Sequence, residues 1–257
     1  MNIEVILSPA EFEPLSKRDL SQTTCVVFDV LRATSSMLTA LHHGAAAIIP
    51  VSEISEALEV HAKNPNYLLA GERNGLRISR ELTGSVDFDF GNSPRDFPHD
   101  KVTGRTIVWT TTNGTRALRA CAHAEMILVG ALLNMRSLTD VLDQLRPKQL
   151  VIVCAGTFEQ VAYEDVFAAG ALIESLRHLC ENDSLNDSAH ISHATYLKAG
   201  SVEPIRTLAR NARKLLSIPA LAEDVHLCFA RNSIRLNAAL MNDGSVRPLP
   251  GFATKLA

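Results

Sequence analysis

Short, wholly apolar runs recur along this chain and alternate with segments of helical periodicity. The clearest runs are TCVVFD at 24–29 and LVIVC at 150–154. A continuous apolar run of about four to eight residues is typical of a strand buried on both faces of a parallel sheet. Because helical patterns follow several of these runs, strand and helix alternate. The pattern predicts an α/β fold in which a mostly parallel sheet lies between two layers of helices.

Individual strands and helices are predicted from this alternation. The strands span residues 5–7, 24–29, 46–51, 67–70, 106–111, 126–130 and 150–154. The helices span residues 33–43, 54–63, 115–122, 134–145, 164–180, 187–199 and 204–216, and Ser52 is the expected cap of the second. Residues 71–101 hold no long periodic segment, and a loop of that length in a compact domain is usually functional. The polar segment 181–188 is expected to be the most mobile loop.

The whole chain, residues 1–257, is expected to form one α/β unit. Two similar subdomains, about 1–122 and 123–257, are possible within it. A short internal similarity exists: DVLRA at 29–33 follows one predicted strand, and NGTRA at 113–117 follows another. If this repeat is real, two arginines lie at helix starts on one edge of the sheet, where open α/β proteins bind their ligands.

The composition excludes several classes of partner. A net charge of −3 provides no basic excess for a nucleic-acid backbone. The sequence contains no run of about 18 apolar residues, so we expect no membrane-spanning segment. We also expect that the stretch MNIEVILSPAEFEP is not a signal peptide. Five cysteines without CxxC spacing suit free thiols in a reducing compartment. We therefore expect a cytoplasmic protein that binds neither nucleic acid nor membrane, and a homodimer is possible.

Asp29 ends a predicted strand and precedes Arg32 and Thr34 at the start of a helix. Helix-start amides, a hydroxyl and a guanidinium together make an anion site, and the carboxylate could bind Mg2+. The same residue types also occur at strand-to-helix junctions for purely local reasons, so both interpretations stay open. A haloacid-dehalogenase site is excluded, because Leu31 stands where that class has its second Asp.

Two glycine-containing loops follow later strands. In GERNG at 71–75, Glu72 could hold a metal and Arg73 an oxyanion, although a turn with a surface ion pair is slightly favoured. The loop TTTNGTR at 110–116 brings threonine hydroxyls and Arg116 to a helix start, which resembles a phosphate site in its chemistry. An Asn-Gly turn is the alternative, but a structural turn needs no arginine.

Other candidate residues carry weaker signals. Cys154 ends a predicted strand, where a nucleophilic thiolate would fit, although a buried cysteine is the more frequent outcome. Glu164 and Asp165 open a long predicted helix, where they complement the helix dipole or serve a metal. Asn92 and Ser93 lie in a GNSP turn that indicates little by itself.

Several motifs occur together in one order: FDVLRATS, GERNGLRI, FGNSP, TTTNGTRA and VCAG, then the acidic pair that opens a helix. This order resembles the 2-phosphosulfolactate phosphatase family over roughly residues 1–230. The resemblance implies an enzyme that removes phosphate from 2-phospho-3-sulfolactate and requires Mg2+, a step of coenzyme M biosynthesis in methanogens. The C-terminal stretch FARNSIRLNAALMNDGS departs from the family pattern, so an acid expected there is missing or displaced.

The resemblance also implies roles for the motif residues. The expected catalytic residues are Asp29, Arg32, Glu72, Arg73, Arg116 and Cys154. The expected substrate-binding residues are Thr34, Asn74, Asn92, Ser93, Thr112, Asn113, Gly114 and Thr115. The expected Mg2+ ligands are Asp29, Glu72, Glu164 and Asp165.

The implied substrate is a small phosphorylated molecule that carries three anionic groups. We therefore expect one pocket, at the shared carboxyl edge of the strands, lined by Arg32, Arg73, Asn92 and Arg116. Charge neutralisation by arginine and Mg2+ would supply most of the catalysis of phosphoryl transfer. Two alternatives stay open: a hydrolase with Cys154 as nucleophile, and an anion-binding protein without catalysis.

Overall fold

The computed structural model describes residues 1–181 and 184–250. Its strands are β1 (Asn2–Ile6), β2 (Thr23–Phe28), β3 (Ala47–Val51), β4 (Leu68–Arg73), β5 (Leu76–Arg77), β6 (Thr106–Thr110), β7 (Met126–Gly130), β8 (Gln149–Cys154), β9 (Ala238–Leu240) and β10 (Val246–Pro248). Its α-helices are α1 (Phe12–Ser16), α2 (Ala33–His42), α3 (Ile54–Lys63), α4 (Arg80–Thr83), α5 (His99–Val102), α6 (Gly114–Ala120), α7 (Met135–Leu145), α8 (Tyr163–Ser175), α9 (Asp187–Ala199), α10 (Glu203–Leu208), α11 (Arg210–Leu216) and α12 (Ala222–Cys228). No helix within these residues is long and apolar enough to cross a membrane.

The predicted strands are all present, and most boundaries differ by only a few residues. β4 is the exception, because it continues through Glu72 and Arg73, where a loop was predicted, to pair with β5 in a hairpin. The helix predicted at 164–180 ends at Ser175. The helix predicted at 204–216 is interrupted at Ala209, whose backbone is extended although no glycine or proline marks the break.

One local prediction was wrong, and the mobility expected of residues 181–188 stays a prediction. Ser52 does not cap α3: Glu53 occupies the N-cap position, and the Ser52 amide donates to Glu56 Oε2 at 3.0 Å. The segment 181–188 is largely tied to other elements, since Asp187 begins α9 and the capping Asn186 accepts from the backbone amide of Ala189 at 2.9 Å. Residues 182–183 of that segment lie outside the described residues.

The sheet has ten strands in the order β1-β8-β2-β7-β9-β10-β3-β6-β4-β5. β1, β8, β2 and β7 are parallel to one another, and so are β3, β6 and β4. The β9–β10 hairpin joins these two groups by antiparallel pairing, so the second group runs opposite to the first. The sheet is therefore mostly parallel, as predicted, while no pattern in the sequence predicted the hairpin that joins its two parts.

Helices cover both faces of the sheet, which confirms the three-layer α/β/α arrangement. On one face, α2 and α6 pack in a single cluster with both strand groups, as shown by Val27 of β2 and Trp109 of β6. On the other face, α3 covers the second group, and α7 and α8 cover the first. Because one pair of helices packs against both groups, the sheet curves around α2 and α6. The division into two subdomains near residue 122 stays a prediction.

Candidate active site

A cavity of about 230 Å3 lies where the loops after β2, β6 and β8 meet the β4–β5 hairpin. The segment from α11 to the start of α12 also lines it. The lining residues are Asp29, Leu31, Arg32, Glu72, Asn74, Gly75, Leu76, Asn92, Thr111, Thr112, Asn113, Gly156, Thr157, Phe158, Asn211, Lys214, Leu215, Ile218 and Leu221. The structure therefore brings together residues from all five of the quoted sequence motifs.

Asp29 lies directly after β2, with one carboxylate oxygen fixed and the other free. Oδ1 accepts from the amide of Ala33 at 3.1 Å, whereas Oδ2 makes no hydrogen bond with any described residue. A Cβ at Gly114 would lie 2.7 Å from Oδ2, so only glycine fits beside this carboxylate. Burial, aided by the charges of Glu72 and Glu164, raises the pKa of Asp29 to about 7, although the hydrogen bond from the Ala33 amide and the charge of Arg32 act to lower it. Asp29 can therefore gain or lose a proton near neutral pH.

Glu72 holds the hairpin against the loop after β6. Its Oε1 accepts from the amide and the hydroxyl of Thr112 at 3.0 and 2.9 Å, and Oε2 accepts from the amide of Gly75 at 2.7 Å. Asn74 and Gly75 have φ of 59° and 86°, the pair that a tight two-residue hairpin requires. Since both of its oxygens already accept from protein donors, Glu72 is a positioning residue here.

Arg32 makes a buried ion pair with Asp224 of α12. Nη1 donates to Asp224 Oδ2 at 2.6 Å, and Nη2 donates to the Gly75 carbonyl at 2.9 Å. Oδ1 of Asp224 accepts from Ser93 Oγ at 2.6 Å and from Arg95 Nε at 2.9 Å. Arg32 and Ser93, both expected at the site, are thus held by an acid from the C-terminal part of the chain, outside the divergent 229–245 stretch. The charge of Arg32 is largely neutralised by this pair.

The loop after β6 lines the cavity with Thr111, Thr112 and Asn113. Asn113 Nδ2 donates to the carbonyls of Ala155 and Phe158 at 3.1 and 3.0 Å, while Asn113 Oδ1 is buried without a partner among the described residues. The backbone amides of Asn113 and Gly114 donate to no described group. Thr115 differs, because its hydroxyl is buried and donates to the Thr111 carbonyl, so its role is structural.

Two further residues were expected to bind substrate. One of them, Thr34, makes a local hydrogen bond, and the other, Asn92, has a side-chain oxygen without a described partner. The Thr34 hydroxyl donates to the backbone carbonyl of Asp29 at 2.9 Å, which makes it a structural residue of the loop before α2. Asn92 lines the cavity, and its Oδ1 is buried without a described partner. Its backbone carbonyl accepts from the Ser36 hydroxyl at 2.9 Å, which fixes the turn.

The prediction that three arginines line one pocket was wrong for Arg73 and Arg116. The Arg73 guanidinium donates to the carbonyls of Glu72 and Ser52 and to the Thr110 hydroxyl, away from the cavity. Arg116 pairs with Glu159 at 2.9 Å on the surface, and 41% of its side chain is exposed. On α6, Gly114 faces Asp29, and each successive helical residue turns by about 100°. Arg116 therefore projects away from the cavity.

Cys154 and the acidic pair lie behind the cavity wall. Cys154 is fully buried, and burial together with the nearby acids raises the pKa of its thiol well above the usual value, which argues against a thiolate nucleophile. Asp165 accepts from the amides of Val30 and Gly156 at 2.8 and 3.0 Å, so it ties two loops together. Burial, followed by the charges of its acidic neighbours, raises the pKa of Asp165 well above its usual value.

A magnesium ion fits only part of the predicted ligand set. Among the described residues no group of three or more acidic, histidine or cysteine side chains could hold a metal, and Glu72 and Asp165 use both oxygens elsewhere. Glu164 Oε1 accepts from Asn211 at 2.6 Å, but the buried Oε2 has no described partner. Unpartnered oxygens of Asp29 and Glu164 suit Mg2+, which usually takes one or two carboxylates and completes its shell with water and substrate.

The sequence patterns did not identify several residues of the cavity and of its support. Asn211, Lys214 and Leu215 come from α11, and Asp224, the buried partner of Arg32, comes from α12. The only signal was the helical pattern at 204–216, which does not show the face that meets the site. Asp224 lies in a helix that was not predicted.

Replacing Asp224 tests the buried ion pair. We expect Asp224→Ala to lower the free energy of unfolding by about 3–5 kcal/mol, because it leaves the buried Arg32 charge without a partner. Arg95→Ala, which removes the half-exposed partner of the same acid, should cost about 1 kcal/mol or less. Urea unfolding measures both. Equal losses for the two variants would contradict a central role for the Arg32–Asp224 pair.

The raised pKa of Asp29 predicts a stability that falls with rising pH. In metal-free buffer at pH 8, Asp29→Asn should be roughly 2–4 kcal/mol more stable than the wild type, because the folded wild type must then hold a buried charge. The advantage should shrink as the pH falls from about 7 towards 4, where the folded carboxyl is protonated. Urea unfolding with EDTA at several pH values measures it, with the exposed Asp100→Asn as control. A pH-independent advantage would contradict the raised pKa.

The chain is similar to known proteins over most of its length. Residues 11–242 match the model of a family described as 2-phosphosulpholactate phosphatase. A probable 2-phosphosulfolactate phosphatase of Caldanaerobacter subterraneus subsp. tengcongensis is 37% identical over 246 residues, which cover 94% of this chain and 97% of the relative.

Two further relatives carry the same name. The protein of Thermotoga maritima is 35% identical over 242 residues, covering 93% of this chain and 96% of the relative. The protein of Clostridium novyi is 34% identical over 236 residues, covering 91% and 94%. These matches confirm the resemblance seen in the motifs: the chain belongs to the 2-phosphosulfolactate phosphatase family, whose name denotes a phosphoric monoester hydrolase.

Proposed function

We propose that this chain hydrolyses 2-phospho-3-sulfolactate to 3-sulfolactate and phosphate in a Mg2+-dependent reaction. The observation that carries the proposal is Asp29: a buried carboxyl group with one free oxygen and a pKa of about 7, in a cavity formed by the family's motif loops. Membership of the family and the printed names of the relatives support the substrate.

The proposed metal ligands are Asp29 and Glu164. Burial of both carboxyl groups raises the pKa of each, so each holds a proton more tightly than usual until a cation is bound. Mg2+, when bound, neutralises the charge of the phosphate and polarises its oxygens. Metal binding then releases protons and weakens as the pH falls below about 7.

The protein itself would position the phosphate through neutral donors. The unpaired backbone amides of Asn113 and Gly114 offer hydrogen bonds to phosphate oxygens, and Glu72 fixes this loop through Thr112. Hydrolysis requires that water attack phosphorus and that the ester oxygen leave with a proton. Neutral donors in a desolvated cavity stabilise the charge that develops in this step.

Removal of the metal tests this proposal. Phosphate release from 2-phospho-3-sulfolactate should stop in EDTA and return with Mg2+, and Glu164→Gln should weaken Mg2+ binding about tenfold or more. Titration calorimetry of Mg2+ binding measures the second effect independently of activity, and the exposed Glu174→Gln provides the control. Full activity in metal-free buffer would contradict the role of Mg2+.

The alternative nucleophile has a separate test. Cys154→Ser should keep the fold and most of the activity, because the thiol is protonated and lies behind the cavity wall. Phosphate release and circular dichroism of the purified variant measure this. Complete loss of turnover in a folded variant, with a phosphocysteine trapped in the wild type, would instead favour the cysteine mechanism.

Other expectations from the sequence stay predictions. They are a cytoplasmic location, a homodimer, the absence of nucleic-acid binding and a place in coenzyme M biosynthesis. Phosphate release from a panel of phosphorylated hydroxy acids would distinguish the phosphatase from the alternative, an anion-binding protein without catalysis.

A further inference from the structure

The charges around the cavity are unevenly distributed. The carboxylates that line it, Asp29 and Glu72, lie directly after β2 and near the end of β4, and the buried Glu164 accepts from Asn211 of α11. The lining cations are Arg32 and Lys214, and Arg32 is already paired with Asp224 at 2.6 Å. Lys214 makes no ion pair within residues 1–181 and 184–250. It is therefore the lining cation whose charge is available to a ligand.

The helix that carries Lys214 is firmly held. Asn211, Lys214 and Leu215 lie three and four residues apart, which places them on one face of α11. Leu215 packs in the core beneath the sheet, and Asn211 Nδ2 donates to both Thr157 Oγ1 and Glu164 Oε1 at 2.6 Å. These contacts fix the face of α11 that meets the cavity, so the stem of Lys214 begins at a defined place on the wall.

A neighbouring cavity contains both arginines and acids. It shares Arg32 with the first and adds Arg77 and Arg95. Arg95 pairs with Asp224 at 2.9 Å, whereas Arg77 donates to the Asp89 backbone carbonyl at 3.4 Å and makes no ion pair among the described residues. Asp89 and Asp96 line the same cavity, so Arg77 is the competing cation that an experiment has to exclude.

We propose that Lys214 binds the sulfonate of the substrate and so selects phosphate esters that carry this group in addition to the carboxylate. This inference rests on the proposed function and specifies where the far end of that substrate lies. A sulfonate is ionised at every physiological pH and carries three acceptor oxygens, which match the three donors of an ammonium group. Asn211, one helical turn before Lys214, contacts the proposed metal ligand Glu164, so the sulfonate on Lys214 would lie one turn of α11 from the phosphate.

Direct binding of the product provides the test. In buffer with EDTA, titration calorimetry with 3-sulfolactate should show binding to the wild type and at least about tenfold weaker binding to Lys214→Ala, the scale of one charge-assisted contact. Arg213→Ala is the matched control, because it removes one positive charge from the same exposed helix outside the cavity. We expect it to bind 3-sulfolactate within about twofold of the wild type.

Turnover provides the second readout. Lys214→Ala should lower kcat/KM about tenfold for 2-phospho-3-sulfolactate, mainly through KM, and leave kcat/KM for 2-phospholactate nearly unchanged, because that ester lacks the sulfonate. Equal losses on both esters, or a loss equal to that of Arg213→Ala, would overturn the assignment. A loss found in Arg77→Ala instead would place the sulfonate in the neighbouring cavity and would also overturn it.

The two proposals fail in different ways. If the wild type releases phosphate from neither ester, the proposed function fails, while the 3-sulfolactate titration still tests Lys214. If the wild type does not bind 3-sulfolactate, the proposed role of Lys214 is overturned, whether or not the protein releases phosphate from the two esters.

Discussion

The ion pair between Arg32 and Asp224 is the interaction on which the cavity depends. The side chains are 4% and 0% exposed, and removing two charges from water costs several kcal/mol per ion unless each is fully hydrogen-bonded. Asp224 meets this requirement with Ser93 and Arg95, and Arg32 meets it with the Gly75 carbonyl. The loop after β2, the β4–β5 hairpin, the turn at 93–95 and α12 must therefore come together as one unit.

The same ion pair determines the charge of the cavity. Because Arg32 is neutralised by Asp224, it adds little to offset the acids at the strand ends. Burial then raises the pKa of Asp29 to about 7, so its proton can be exchanged for a cation under ordinary conditions. Lys214 lines the same cavity and makes no ion pair among the described residues. A cavity that offers both carboxyl groups and a free ammonium group suits a substrate with more than one anionic group.

Curvature of the sheet explains why residues from oppositely directed strands meet. The β9–β10 hairpin reverses the direction of the sheet between β7 and β3. Twist of about 20–25° per strand accumulates over the intervening steps, and packing on one helix pair curves the sheet. The carboxyl ends of β2 and β6 then approach each other, as the contact between Gly114 and Asp29 shows. The glycine at the start of α6 permits that approach.

The sequence by itself determined the α/β class, the buried strands and the motif residues that follow them. Asp29, Glu72 and Asn113 were found this way, because an apolar run with a polar residue at its end is a local pattern. Which side chains face the cavity depended on tertiary structure. Arg116 turns away through the rotation of its helix, Arg32 has a partner 192 residues later, and Lys214 lies on a helix with no local sign of its role. Local patterns record periodicity and burial, whereas the rotation of a helix about its axis and the partner of a buried charge are set only when distant segments pack together.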